Sequence, residues 1–188
     1  MVMDYMDNGD LFCFLKAKME YRQRISEDKL WDIFEQCLKG LIYIHSLGII
    51  HRDIKPSNLL LNNKGQVKIS DFQACCLEDK KNMNYFTADI NKGEQLINQM
   101  TIIGTANYMA PEISINHNNL DVNYNSKVDV YSMGITFRVL TFFNFSLPKN
   151  PYNDIYSKEL IDIILHMINP DEKKRPTSLQ IYNELINK

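Results

Sequence analysis

A mainly α-helical fold with one small β-hairpin is predicted for this chain of 188 residues, on three observations. Leu30, Ile33, Phe34, Cys37, Leu38, Leu41, Ile42 and Ile44 recur at helical spacing, the pattern of a helix with one buried face. The run from Val128 to Phe143 is apolar enough for a buried helix, and Leu160, Ile161, Ile164 and Leu165 give residues 158–168 an amphipathic pattern. Two short strands, Leu59-Leu60-Leu61 and Val67-Lys68-Ile69, flank Asn62-Asn63-Lys64-Gly65, whose residue types suit a tight turn.

In chain order, Met1 to Met6 reads as an extended apolar start and Asn8-Gly9-Asp10 as a turn. Ser26-Glu27-Asp28 supplies a cap and an acidic first turn for the next helix, which is expected to end at Gly48. Residues 78–100 are rich in Asn, Lys and Glu, with little apolar surface to bury, and are expected to form a mobile loop. A last helix is expected from Thr177. No internal repeat is visible.

With 45% hydrophobic residues the chain can bury one core, so one domain is expected. A net charge of -2 provides no basic stripe for nucleic acid or an anionic membrane. No apolar stretch approaches a membrane span, and Met1-Val2-Met3-Asp4 lacks the pattern of a signal peptide, so a cytoplasmic or nuclear location is expected. Cys13, Cys37, Cys75 and Cys76 have neither CxxC pairing nor a histidine cluster, which argues for reduced thiols rather than zinc or disulfides. Cys75-Cys76 reads either as an oxidant-responsive pair or as packing residues.

The chemistry concentrates in His51-Arg52-Asp53-Ile54-Lys55-Pro56-Ser57-Asn58, followed beyond the hairpin by Asp71-Phe72. Taken singly, each residue has an ordinary reading, with His51 in a core, Arg52 and Lys55 on a solvated face, and Asp53 and Asn58 in turns. Turn chemistry does not require a lysine two after the aspartate and an asparagine five after it. As a set they bring two carboxylates, an amide and a cation to one region, and the loop and hairpin place Asp53, Asn58 and Asp71 around one mouth.

This string resembles the catalytic loop of eukaryotic serine/threonine protein kinases, and the likeness extends along the chain. Gly104 to Glu112 resembles the end of a kinase activation segment, Asp129-Val130-Tyr131-Ser132-Met133-Gly134 the start of the large buried helix, and Asn169 to Thr177 the closing motif. The resemblance implies the C-terminal lobe of the protein-kinase-like α+β fold, with a hinge at 1–8, a catalytic loop at 51–58, an activation segment at 71–112 and a helical remainder at 126–188. It implies ATP and Mg2+ as cofactors and protein Ser/Thr hydroxyls as substrates. Asp53 would accept the hydroxyl proton, Lys55 would neutralise charge on the transferring group, and Asn58 and Asp71 would hold magnesium. The backbone of Asp4 and Met6 would bind adenine, with Met3 as gatekeeper, Leu60 beneath the ring and Asp10 at the ribose or substrate. Glu112 and Arg175 would form a buried ion pair. Thr105 would line the substrate pocket, and Arg52 would bind a phosphate placed on Thr101, rather than Thr87, by an upstream kinase.

Several family features are missing from the pattern. The chain shows no glycine-rich phosphate loop and no lysine and glutamate partners, so the N-terminal lobe is read as absent. Gln73 stands where the family has glycine, which alters the conformations open to that backbone. The stretch from Asp129 to Arg175 is short for the family and carries Pro148 and Pro151 where a further helix is usual. Two functions follow from these features. One is a serine/threonine kinase fragment that acts once an N-terminal lobe completes it, and the other is a non-catalytic kinase-like interaction module.

Overall fold

The computed structural model describes residues 4–78, 105–115, 125–144, 146, 148–152 and 155–187. Met3, Thr87, Thr101 and the polar stretch from Asp79 to Met100 lie outside these residues. The helices are α1 (Leu11–Glu20), α2 (Glu27–Ser46), α3 (Pro111–Ile115), α4 (Lys127–Phe142), α5 (Lys158–Met167) and α6 (Ser178–Ile186). The strands are β1 (Ile49–Ile50), β2 (Leu59–Leu61), β3 (Val67–Ile69) and β4 (Cys76–Leu77), paired antiparallel as β2 with β3 and β1 with β4.

Helices α2 and α4 form the centre. Phe34 and Phe137 meet edge to face at 4.9 Å, both fully buried, and such rings each contribute about 1.5–3 kcal/mol by burial. The periodic positions Leu30, Ile33, Phe34, Cys37, Leu38, Leu41 and Ile44 of α2 are all buried. Ser26 occupies the N-cap position without a side-chain cap bond, so the helix start rests on Glu27 and Asp28 facing its positive end. Gly48 follows in the left-handed region at φ +68° and bonds back to the His45 carbonyl, which stops the helix.

In α4 the buried hydroxyls of Ser132, Thr136 and Thr141 each donate to the carbonyl four residues earlier, so the helix satisfies its own polar groups. Gly134 lets α5 approach, because a Cβ there would lie 2.7 Å from Met167 Cβ and 2.8 Å from Ile168 Cγ2. Ser157 caps α5, and its backbone N–H donates to Glu27 at 2.8 Å, tying α5 to the start of α2. A capping box of Thr177 and Gln180 opens α6.

The hairpin forms where expected, pairing Leu59 with Ile69 and Leu61 with Val67. Gln36 of α2 holds it from below, donating to the Gly65 carbonyl at 3.1 Å and accepting from Val67 N–H at 2.8 Å.

Two elements depart from the expected organisation. One is α1, capped by Asp10 through Cys13 N–H at 2.7 Å and burying only Leu11 and Leu15. The other is the β1–β4 pair, which aligns Ile50 with Cys76 and packs Cys76 beside Ile50, Ala110 and Val128. Cys76 is thereby a packing residue. Among the described residues no helix is long and apolar enough to cross a membrane.

Candidate active site

The loop from His51 to Asn58 lies between β1 and β2, and Asp129 of α4 anchors its start. The Asp129 carboxylate is fully buried and accepts the backbone N–H of His51 at 2.8 Å and of Arg52 at 2.7 Å. His45 Nε2 lies 3.0 Å from the same carboxylate, and His45 Nδ1 lies 3.0 Å from Ser178 Oγ at the start of α6. Arg52 is held at φ +65°, a left-handed conformation that costs an ordinary residue about 1–2 kcal/mol. The Asp129 bonds offset that cost and turn the chain so that Asp53 faces inward.

His51 fixes the other side of the loop. The Ser70 carbonyl, 3.0 Å from His51 Nε2, can only accept, so Nε2 carries the proton and Nδ1 accepts from Asp53 N–H at 3.3 Å. The His51 ring also meets Phe72 edge to face at 4.9 Å.

Asp53, Lys55 and Asn58 come together in the loop. Asp53 Oδ2 accepts from Asn58 Nδ2 and from Lys55 Nζ, both at 2.8 Å. Asn58 Nδ2 also donates to the Asp53 carbonyl at 2.8 Å, so the amide group is oriented with its nitrogen toward Asp53. Asp53 Oδ1 is buried and has no hydrogen-bond partner among the described residues. Leaving such an oxygen bare is costly, about 1–3 kcal/mol, unless a ligand group completes it.

Asp71 stands one step further on. Ser70 donates from both its backbone and its hydroxyl to the Asn58 carbonyl, which sets the end of β3 against the loop. Asp71 follows at φ 64°, exposed, with one carboxylate oxygen 3.4 Å from Gln73 N. Gln73 lies inside the 3-10 turn Phe72–Ala74 and is not among the residues at positive φ. The left-handed position thus belongs to Asp71, and glutamine suffers no backbone strain in this conformation.

The remaining expected residues are more dispersed. Asp4 is exposed, with Oδ2 3.9 Å from Lys68 Nζ. The Met6 carbonyl accepts from Gly9 N–H in a turn, and Leu60 is half-buried and bridges to Asp10. Asp10 spends Oδ1 on capping α1. Arg52 Nε donates to the Ala74 carbonyl. Thr105 opens the 3-10 turn Thr105–Tyr108. Glu112 and Arg175 form the expected bidentate pair at 2.6 and 3.1 Å, with the Arg175 side chain fully buried and its guanidinium 4.8 Å from the Tyr131 ring. Asp129, His45 and Ser178 are positioning residues that the catalytic-loop pattern alone does not single out. The signal for Asp129 is a carboxylate inside an otherwise apolar run.

A family model described as "Protein kinase domain" matches residues 1–185. The chain belongs to the protein kinase family. It is 38% identical over 136 residues to "Mitogen-activated protein kinase kinase 2" of Arabidopsis thaliana, covering 72% of this chain and 31% of that protein. It is 31% identical over 185 residues to "Serine/threonine-protein kinase cst-1" of Caenorhabditis elegans, covering 98% of this chain and 32% of the relative. A third relative, "eIF-2-alpha kinase GCN2" of Schizosaccharomyces pombe, is 33% identical over 204 residues, which cover 93% of this chain and 12% of that protein. The chain thus spans about a third or less of the length of these relatives. The mainly helical fold of this kinase chain, with its small strand pairs, is that of the family's C-terminal lobe.

Proposed function

We propose that the chain carries the magnesium- and protein-binding half of a serine/threonine kinase active site. Completed by an N-terminal lobe, it transfers the γ-phosphate of ATP to Ser and Thr hydroxyls of protein substrates. The observation that carries this reading is the Asp53 carboxylate. One oxygen is locked by Asn58 and Lys55, and the other is buried without a partner. A substrate hydroxyl that donates to Oδ1 satisfies it and places its proton on the acceptor. An interaction module built only for binding has no use for that bare oxygen.

The other roles follow from the local geometry. Lys55, with Nζ 2.8 Å from Asp53 Oδ2, holds positive charge beside the acceptor, where it would neutralise charge on the transferring group. With Nδ2 of Asn58 engaged by Asp53, its amide oxygen is the atom left for a metal, and Asp71 adds an exposed carboxylate. These are hard oxygen donors that suit magnesium, which when bound neutralises phosphate charge. Residues 1–8 serve as hinge, with the backbones of Asp4 and Met6 toward adenine, Leu60 beneath the ring and the second oxygen of Asp10 toward the ribose. Residues 71–112 form the activation segment, where Thr105 lines the substrate pocket and phosphate on Thr101 pairs with Arg52. Residues 126–188 form the helical support.

The test compares the 188-residue chain with the same chain joined to an N-terminal lobe, using ATP and dephosphorylated casein. The joined protein is expected to incorporate phosphate and to lose this with Asp53→Ala, while the 188 residues alone incorporate none. Asp71→Asn is expected to weaken magnesium-nucleotide binding more than Asp53→Asn does. Labelling that survives Asp53→Ala removes the proposed acceptor, and equal loss of nucleotide affinity in the two Asn variants removes the division of roles.

A further inference from the structure

Helix α6 opens with a capping box, in which Thr177 Oγ1 accepts from Gln180 N–H at 3.2 Å and Gln180 Oε1 accepts from Thr177 N–H at 2.8 Å. The hydroxyl of the next residue, Ser178, is therefore not needed to start the helix. Ser178 is only 3% exposed, and its Oγ lies 3.0 Å from His45 Nδ1 near the end of α2. Burying a hydroxyl is costly without such a partner.

The direction of this bond follows from the other ring nitrogen. A carboxylate only accepts, so His45 Nε2, 3.0 Å from Asp129 Oδ2, carries the ring proton, and Nδ1 of the neutral ring is left as an acceptor. Ser178 Oγ–H therefore donates to His45. The same Asp129 oxygen accepts from His51 N–H at 2.8 Å, and Asp129 Oδ1 accepts from Arg52 N–H at 2.7 Å. The bonds form one directed chain, from Ser178 of α6 through His45 of α2 to Asp129 of α4, which holds the two amides that precede Asp53. The His45 side chain is 10% exposed and Asp129 not at all, so the chain runs through the interior, where each bond polarises the next.

We propose that the last helix controls the order of the catalytic loop through this chain, with Ser178 setting the orientation of His45 and, through it, of the Asp129 carboxylate. Without the hydroxyl, His45 Nδ1 is a buried acceptor that lacks its donor, and the ring turns to find one. Turning draws Nε2 off Asp129 Oδ2, the carboxylate follows, and the amides of His51 and Arg52 loosen. Arg52 is the sensitive point, because its left-handed φ of +65° is a strained conformation that persists only while its surroundings hold it. Helix α6 thus acts on the loop without contributing a group to the site. Its bearing on phosphoryl transfer rests on the role proposed for Asp53, whereas the coupling rests on the chain of bonds alone.

The test uses the 188-residue protein labelled with 15N, as wild type, Ser178→Ala and Ser178→Cys. Alanine suits a helix and leaves the Thr177 cap and the packing of Ile181 in place, while cysteine keeps the shape of serine with a weaker donor. At pH 8, above the ordinary histidine range, the His45 Nδ1 resonance is expected to shift in both variants, further in Ser178→Ala. Amide hydrogen exchange at His51 and Arg52 is expected to quicken about threefold to tenfold in Ser178→Ala, while that of Leu38, fully buried in α2, changes by less than about twofold. An unmoved Nδ1 resonance or unchanged exchange at His51 and Arg52 overturns the proposal. So does equal quickening at Leu38, which is what a loss of overall stability alone produces. Where Ser178→Ala fails to fold, Ser178→Cys gives the same readings with smaller changes. The readout needs neither ATP nor a second lobe, so a protein that transfers no phosphate leaves the coupling intact, and failure of the coupling leaves the active-site reading intact.

Discussion

Replacing Asp129 by Asn is expected to destabilise the fold through the catalytic loop rather than through the core. The side chain keeps its size, so no cavity forms. The carboxylate accepts from His51 N–H, Arg52 N–H and the His45 ring at 2.7–3.0 Å, and it is fully buried. An amide offers one oxygen and one NH2 group to the same neighbours. One loop N–H therefore meets a donor and stays unsatisfied, at about 1–3 kcal/mol, and the other exchanges a charge-assisted bond for a weaker neutral one. Removing a buried charge returns part of this through its desolvation. The net loss expected is about 2–4 kcal/mol, a large share of the roughly 5–15 kcal/mol that holds a domain together. Urea titration followed by fluorescence reports it, because Trp31 is the only tryptophan and packs edge-on against Phe34 at 5.7 Å. Asp28→Asn, at an exposed first-turn position of α2, serves as control and is expected to cost less than about 1 kcal/mol. A loss at Asp129 below about 1 kcal/mol, or one matched by the control, refutes the claim that this carboxylate holds the loop.

The other expectations concern packing, the ion pair and thiol reactivity. Gly134→Ala places a Cβ within 2.8 Å of Met167 and Ile168 atoms, so it is expected to lower the urea midpoint by a net loss of about 1–2 kcal/mol despite the better helix propensity of alanine; an unchanged or raised midpoint contradicts the close approach. Glu112→Ala leaves the buried Arg175 guanidinium without its carboxylate and is expected to cost about 3 kcal/mol, at the lower end for a broken buried pair because the Asn169 and Lys127 carbonyls still accept from it; stability equal to wild type removes the structural role. Burial pushes the Cys37 thiol from about 9 up to about 12, so in the folded protein it stays protonated where an unfolded chain would ionise. Its contribution to stability is complete below pH 9 and falls as pH rises from there toward 12. At pH 8 a maleimide is expected to label exposed Cys13 readily and Cys37 only as fast as the protein unfolds, and mass spectrometry showing equal labelling refutes this.

Where one face or all faces of an element are buried, its pattern is readable from the chain. The α2 positions Leu30 to Ile44 repeat with the helical period because that face meets α4, and the hairpin is legible from two short apolar strands around turn residues, with one strand held on α2 by Gln36. Helix α1 escapes notice because Leu11 and Leu15 are its only buried residues, so its sequence carries almost no period. The β1–β4 pair escapes for another reason: two residues on each strand are too few to alternate, and their pairing is fixed by distant packing on Ala110 and Val128. In the site, the grouping of Asp53, Lys55 and Asn58 follows from their spacing, since the ends of six consecutive residues can meet only by folding on themselves. The left-handed turn at Arg52 does not follow from residue type, because it rests on Asp129 of a distant helix, and that at Asp71 lies where the end of β3 is bonded to the loop. For the same reason Gln73 reads as a defect in the string yet sits unstrained in the fold.

Two buried side-chain atoms among the described residues lack a hydrogen-bond partner, Asp53 Oδ1 and Arg138 Nε. One is an acceptor and the other a donor, so a hydroxyl or another donor would complete Asp53 and an acceptor Arg138. Buried polar groups elsewhere in the same helix show that the fold can satisfy such atoms internally, as Ser132, Thr136 and Thr141 do with backbone carbonyls of α4. Neither orphan arises from loose surroundings. Asp53 has its other oxygen fixed by two partners, and Arg138 is flanked on its stripe by Tyr131 and Phe142. An unsatisfied atom in an otherwise satisfied and packed setting is a cost the folded chain alone does not recover. At Asp53 a substrate hydroxyl that donates to Oδ1 would recover it.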